Sequence, residues 1–118
     1  MLTFSSAHRY FLYRPAVDLR KSFNGLSGLV TNQMRRDATS GDAFIFLNRR
    51  RDSVKMLVWD RTGFVIFYKR LEGGTFELPA AEGSVAGGAQ PLPWSALLLI
   101  LEGVSLGSAR YRKRFELA

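Results

Sequence analysis

The sequence predicts a small α+β fold in which an antiparallel sheet of about 4–5 strands packs against two helices. Three observations lead to this class. Helical patterns of apolar residues stand near both ends of the chain, short runs rich in aromatic and β-branched residues lie between them, and tight turns join these runs. Since tight turns cannot join parallel neighbours, the central runs form an antiparallel meander. The 118 residues fit a single domain, 1–118.

The first strand and first helix are predicted before residue 37. Arg9–Arg14 is rich in aromatic residues and is followed by a proline, which is typical of a short strand. Asp18 is a favourable N-cap, so a helix is expected to begin at the next residue. Its buried stripe follows helical spacing: Leu19, Phe23, Leu26, Val30 and Met34. Gly25 and Gly28 each lower the stability of the helix by roughly 1 kcal/mol relative to alanine. Either the helix tolerates this cost, or the glycines allow it to pack closely on the sheet, which we favour.

Four further strands are expected after this helix: Ala43–Leu47, Val54–Trp59, Phe64–Leu71 and Thr75–Leu78. The turn Asp60–Gly63 combines an aspartate with a glycine, and the glycine is expected to supply a positive φ. Rings along these strands are either core residues or platforms on which nucleobases stack, and their alternation favours the core. Lys55 and Lys69 are expected to mark the solvated face of their strands.

The last third of the chain is predicted to hold a loop, a helix and a tail. Residues 80–92 are rich in Gly and Ala and have little to bury, which predicts a mobile loop. Pro93 and Trp94 start a second helix that Gly103 ends, and its apolar character nearly all round predicts burial on several sides. Residues 107–118 form a basic tail, which is either an arm that orders on phosphate or a solvated end.

Positive charge is the most informative property of the composition. The chain has 17 Lys plus Arg against 10 Asp plus Glu, a formal net charge of +7. Thirteen of the basic residues are arginine, whose planar guanidinium suits bidentate contacts with phosphate. A strongly basic domain is an electrostatic candidate for binding nucleic acid.

The composition also argues against several classes of protein. There is no cysteine and one histidine, His8, so no cofactor and no metal site is expected. The carboxylates follow no spacing that suggests a two-metal nuclease, no glycine loop of Walker type is present, and the chain is not expected to be an enzyme. Its longest apolar run, Ala96–Leu101, is too short to span a bilayer, so we expect no membrane contact and a cytoplasmic location.

Candidate DNA contacts fall in basic segments. Three consecutive arginines occupy the turn between the second and third strands, two follow the first helix, and four basic residues lie in the tail. Contacts between such residues and phosphate set affinity and register but carry no sequence information. The competing interpretation is a solvated turn that keeps the sheet soluble. The candidates are Arg35, Arg36, Arg49, Arg50, Arg51, Lys55, Arg110, Arg112, Lys113 and Arg114.

Three segments resemble one known family in their order and spacing. Val17–Val30, Gly41–Pro79 and Leu97–Val104 are similar to the accessory protein, of second-open-reading-frame type, of the insertion-sequence-sixty-six family of transposable elements. The resemblance rests most on a central run that contains Arg50, Arg51, Asp52, Lys55, Trp59, Asp60 and Gly63. It implies a non-catalytic protein of a bacterial mobile element, encoded beside a larger transposase that carries the catalytic acidic residues.

Two functions of different classes follow from these patterns. The first is an accessory factor for transposition that contacts DNA, at the ends of the element, through the basic hairpin. The alternative is a protein–protein adaptor that binds the transposase, or a second copy of itself as a homo-oligomer, without touching DNA. Steep dependence of binding on salt belongs to the first function, and burial of apolar surface belongs to the second.

Overall fold

Seven elements of secondary structure form the part of the chain that the structure, a computed structural model, describes: residues 4–80 and 88–102. In chain order they are β1 Tyr10–Tyr13, α1 Phe23–Asn32, β2 Ala43–Leu47, β3 Ser53–Asp60, β4 Gly63–Arg70, β5 Ala89–Leu92 and α2 Trp94–Glu102. The α+β class predicted from the sequence is confirmed.

The five strands form one sheet in the order β4-β3-β2-β1-β5. The predicted meander of β2, β3 and β4 is confirmed, with Ala43 opposite Val58 and Trp59 opposite Phe64. The sheet is mixed rather than wholly antiparallel, because β1 runs parallel to β2. Helix α1 lies in the connection between these two strands and returns the chain to the starting edge, as a parallel pair requires.

Both faces of the sheet are covered, each by one helix. On one face Leu26 and Val30 of α1 pack in a cluster with Phe44. On the other face Leu97 and Ile100 of α2 pack in a second cluster that includes residues from β1, β2 and β3. Every residue of β2 is therefore buried, which matches its uninterrupted apolar sequence.

The rings along the strands belong mainly to the core, as predicted. Phe44 and Phe46 are fully buried, and the Phe11 and Phe44 rings stack with their centroids 5.9 Å apart. Tyr68 is the exception among the strand aromatics, since it is 56% exposed. The preference for a core role therefore fails at this one position of β4.

Helix α1 begins later than predicted, and the N-cap assigned to Asp18 was wrong. Ser22 stands at the N-cap, and the helix starts at Phe23. The Asp18 carboxylate instead accepts hydrogen bonds from the Arg20 backbone N–H and guanidinium, within a turn closed by the Lys21 N–H and the Asp18 carbonyl. One consequence is that Phe23, placed in the buried stripe by its spacing, is 45% exposed.

The two glycines of α1 do not bring the helix against the sheet, so our preferred interpretation of them was wrong. A Cβ added at Gly28 would meet nothing within 4 Å. At Gly25 the nearest atom would be Cβ of Lys21, at 3.0 Å, which belongs to the preceding turn and not to a strand.

The predicted strand Thr75–Leu78 is not formed, and β5 is the fifth strand instead. Residues 71–80 are irregular, although Phe76 is 1% exposed. Strand β5, which pairs antiparallel with β1, comes from the end of the segment predicted as a loop, residues 80–92. Residues 81–87, Gly103 and the tail at 107–118 lie outside the described residues, so those predictions stay open.

Two smaller expectations were also wrong. In the turn between β3 and β4 the positive φ, 47°, belongs to Arg61 and not to the glycine. Lys55 and Lys69 do not mark a solvated face, because each ammonium donates at 2.9 Å to a backbone carbonyl of a covering segment. Lys69 bonds the Leu101 carbonyl in the last turn of α2, where a cation stabilises a helix.

Helix α2 begins at Trp94, as predicted, but is less enclosed than its composition suggests. Leu97 and Ile100 are buried, whereas Leu98 is 40% exposed. The described residues therefore leave one side of this helix in contact with solvent.

The register of α1 predicts unequal effects of two substitutions. Leu26→Ala removes a fully buried side chain and is expected to lower the free energy of unfolding by about 2–5 kcal/mol. Phe23→Ala removes a larger ring that is nearly half exposed and should cost less than about 1 kcal/mol. Urea unfolding monitored by tryptophan fluorescence measures both. A larger loss for Phe23→Ala would contradict the observed register.

Candidate nucleic-acid interface

The three consecutive arginines lie in a five-residue connection, Asn48–Asp52, that we call the arginine turn. The Arg51 N–H donates to the Asn48 carbonyl at 3.1 Å, which closes a β-turn. Arg51 itself has φ 58°, in the left-handed region that residues other than glycine seldom adopt. That conformation costs on the order of 1 kcal/mol, so other interactions must hold it.

The Asn48 side chain clamps the arginine turn. Its Oδ1 accepts the backbone N–H groups of Asp52 and Ser53, each at 3.1 Å. Its Nδ2 donates to Oδ1 of the Asp52 carboxylate at 2.6 Å. Sequence reasoning missed this role. The available signal was an asparagine just before a turn with an aspartate four residues later, a residue type that often bonds nearby backbone.

Two backbone hydrogen bonds from the chain after β4 also support the arginine turn. The Leu71 N–H donates to the Asp52 carbonyl at 2.8 Å, and the Phe76 N–H donates to the Arg51 carbonyl at 2.7 Å. The Phe76 side chain anchors this segment in the core on the α2 face. The arginine turn therefore packs against residues 71–76 and does not project alone as a hairpin tip.

The side chains of the arginine turn face solvent. Arg49, Arg50 and Arg51 are all exposed. Within residues 4–80 and 88–102, none of the three guanidinium groups makes a hydrogen bond or an ion pair. The backbone of the turn is fixed while its three charges are available to a partner.

Basic residues from other segments lie at the same end of the sheet. The Val17 N–H donates to the Leu47 carbonyl at 2.9 Å, which places residues 16–20 beside the arginine turn. The Lys55 ammonium bonds the Lys21 carbonyl, and Arg70 ends β4 next to the start of β3. Helix α1 also starts near here, and helix N-termini attract anions. We call this set the basic end: Arg20, Lys21, Arg49, Arg50, Arg51, Lys55 and Arg70.

Two of the predicted DNA contacts lie at the opposite end of the sheet. That end carries Arg9, Arg35, Arg36 and Arg61. The Arg36 guanidinium carbon lies 3.8 Å from the centroid of the Phe11 ring, and its Nη2 is 3.9 Å from the Asp42 carboxylate, which also pairs with Arg9 at 2.9 Å. Arg35 and Arg36 therefore do not extend the basic end, and Arg61, in the turn at the other end of β3, is also separate from it. Arg110, Arg112, Lys113 and Arg114 lie outside the described residues.

A cleft of about 520 Å³ opens between the arginine turn and residues 16–20. Val17 and Leu19 give it an apolar side, Arg49 and Arg50 give it a basic side, and the exposed Tyr68 ring also lines it. Asp18 and Arg20 pair in the same cleft at 2.6 Å. Hydrogen bonds from the Arg20 side chain and backbone lower the pKa of Asp18 to about 2, so this carboxylate is ionised at neutral pH.

The described residues show neither a metal-binding cluster nor a membrane-spanning helix. Neither 4–80 nor 88–102 contains three His, Cys, Asp or Glu side chains that could hold a metal ion together. Neither range contains a helix that is long and apolar enough to cross a membrane.

Comparison with known proteins now gives the family. A family model described as IS66 Orf2 like protein matches residues 8–111. The chain belongs to this family. Membership confirms the resemblance inferred from the sequence and implies an accessory role in transposition.

Two relatives come from Sinorhizobium fredii (strain NBRC 101917 / NGR234). The chain is 38% identical to "Uncharacterized protein y4jC" over 63 residues, 53% of the chain and 54% of the relative. It is 31% identical to "Uncharacterized protein y4hO" over 87 residues, 74% of the chain and 72% of the relative. The chain thus spans about half the length of the first relative. No solved structure matches.

The clamp predicts that Asn48 contributes to stability. Asn48→Ala would leave two backbone N–H groups without a partner, and we expect a loss of about 1–3 kcal/mol in the free energy of unfolding. Asn32→Ala, at the exposed end of α1, is the matched control and should change stability by less than about 0.5 kcal/mol. Urea unfolding of both variants measures the difference, and equal effects would show that the clamp is not a stabilising feature.

Proposed function

We propose that this protein assists transposition by binding the DNA backbone through its basic end. The observation that carries the proposal is the state of Arg49, Arg50 and Arg51. They are exposed, they lack a carboxylate partner among the described residues, and they sit on a turn whose backbone is fixed. A fixed backbone loses little entropy when the side chains contact phosphate, so binding is less costly.

The structure of the arginine turn favours this proposal over a merely solvated turn. Solubility requires only that charges reach water, and a loose loop would meet that need. Here an asparagine clamp and a bond from the Phe76 N–H hold the backbone, including the left-handed Arg51. Charges held in a defined arrangement are suited to a ligand that carries repeated anions, and duplex DNA carries one negative charge per about 1.7 Å of axis.

The chemistry proposed for the protein is binding and not catalysis. Contacts between arginine and phosphate give affinity and register on the duplex, whereas the cutting and joining of strands belongs to the transposase of the element. We propose that the protein holds DNA at or near the ends of the element while the transposase acts. Binding to bacterial DNA would place it in the cytoplasm.

A second candidate function is a protein–protein adaptor, and one observation favours it. Strand β4 is an edge of the sheet, and within the described residues its outer side pairs with no strand. Val65 on this strand is 37% exposed. Such an edge can accept a strand from a transposase or from a second copy of the chain. Helix α2 adds little support for the adaptor, because Leu97 and Ile100 pack in the chain's own core.

Two variants of equal charge test the DNA proposal. Arg49→Gln/Arg50→Gln removes two positive charges from the basic end, and Arg35→Gln/Arg61→Gln removes two from the opposite end. Affinity for labelled duplex carrying a terminal repeat, and for a scrambled duplex, is measured from 50 to 200 mM salt. The first variant should make the slope of log K against log salt less steep by about 2, since each phosphate contact contributes about 0.9.

The control variant should leave that slope nearly unchanged. Equal changes in both variants would mean that only net charge matters, which would contradict a defined contact surface. Absence of binding by the unmodified protein at 50 mM salt would rule out DNA binding by the protein alone and would favour the adaptor.

A further inference from the structure

The Tyr68 ring packs in neither core cluster, and the Lys55 ammonium lies over one of its faces. Phe64 and Ile66, on the same face of β4, pack against the cluster on the α1 side. Tyr68 comes two residues later and is 56% exposed, at the point where β4 reaches the cleft beside the arginine turn. An exposed aromatic ring beside arginines is a combination that single-stranded nucleic acids recognise.

We propose that this cleft binds an unpaired nucleotide of single-stranded DNA. The base stacks on the Tyr68 ring, and the adjoining phosphates contact Arg49 and Arg50. This inference rests on the proposed DNA-binding function and adds the form of DNA that the site selects. Bases of an intact duplex stack on one another and offer only their edges in the grooves, so a stacking ring is useful only where strands are open.

The size and lining of the cleft fit such a ligand. Its volume, about 520 Å³, lies within the range of roughly 300–1,000 Å³ that is usual for small-molecule sites. Val17 and Leu19 supply apolar surface for a base, while the arginines line the same space as Tyr68. The cleft therefore offers one surface for a flat apolar group and another for an anion. These two surfaces match the base and the phosphate of a nucleotide.

The Lys55 ammonium lies over one face of the Tyr68 ring, so the base would stack on the opposite face. The ammonium lies 5.2 Å from the centroid of the Tyr68 ring and is anchored to the Lys21 carbonyl at 2.9 Å. Lys55 faces Tyr68 directly in the β3–β4 register, so the pair is fixed by the sheet. Because Lys55 contacts the Tyr68 ring before a ligand arrives, binding loses less side-chain entropy.

Cleavage at the ends of a mobile element creates new strand ends, where terminal bases can separate from their partners. A protein that holds the backbone with arginines and an unpaired base with Tyr68 would favour opened or nicked ends over intact duplex. The two contacts act on different parts of the DNA, so they can be removed separately.

The test compares Tyr68→Leu, Tyr68→Phe and Phe23→Leu. The first removes the ring but keeps an apolar side chain, the second keeps the ring, and the third changes another exposed aromatic residue that does not line the cleft. Each protein is titrated into a single-stranded oligonucleotide that carries 2-aminopurine and into a blunt duplex. Fluorescence of 2-aminopurine falls when the base stacks, so it reports the contact directly.

Tyr68→Leu should weaken binding to the single strand by about tenfold, abolish the quenching, and change duplex affinity by less than about twofold. Tyr68→Phe should restore both signals, and Phe23→Leu should behave as the unmodified protein. Unchanged affinity and quenching in Tyr68→Leu would overturn the inference. If Arg49→Gln/Arg50→Gln still weakened duplex binding in that case, the proposed function would stand without the inference. Failure of the unmodified protein to bind either DNA would remove both.

Discussion

The hydrogen bonds from the Asn48 side chain to the backbone of Asp52 and Ser53 fix the geometry on which the proposed site depends. They close the connection between β2 and β3, and they hold Arg51 in a left-handed conformation. The Asp52 and Arg51 carbonyls accept hydrogen bonds from the backbone N–H groups of residues 71 and 76. The chain that follows β4 therefore runs alongside the turn. The clamp and these two bonds together hold the backbone of the arginine turn.

The chain uses its arginines in two different ways, and their surroundings separate the two. Arg14 bonds the Pro79 carbonyl and the Gln90 side chain, and Arg36 lies over the Phe11 ring beside Asp42, so these residues support the fold. Around the arginine turn the described residues supply backbone support but no carboxylate for the three guanidinium groups. A net charge of +7 does not by itself distinguish one surface of the protein from another, but the unequal pairing of these charges does.

The parts of the fold that were predicted are those in which local pattern and final environment agree. Strands β2 and β3 carry long apolar runs and are largely buried, whereas β4, at the edge of the sheet, is half-buried or exposed along its length. The predicted start of α1 was wrong because the Asp18 carboxylate bonds Arg20 within a turn and does not cap the helix. The strand predicted at residues 75–78 does not form, because the Phe76 N–H bonds the Arg51 carbonyl, which is distant in sequence. The arginine turn and the asparagine that clamps it could be read from the sequence, but the displacement of Arg35 and Arg36 and the cleft with Tyr68 arise only from tertiary contacts.

The central claim is that the arginine turn has a fixed backbone before any partner binds. Backbone ¹⁵N relaxation of the unbound protein tests it most directly, through the order parameters of Arg49, Arg50 and Arg51. The clamp and the bond from the Phe76 N–H predict values of about 0.85, equal to those of the central strands. Values below about 0.6 at these three residues would show a flexible loop and would contradict the account.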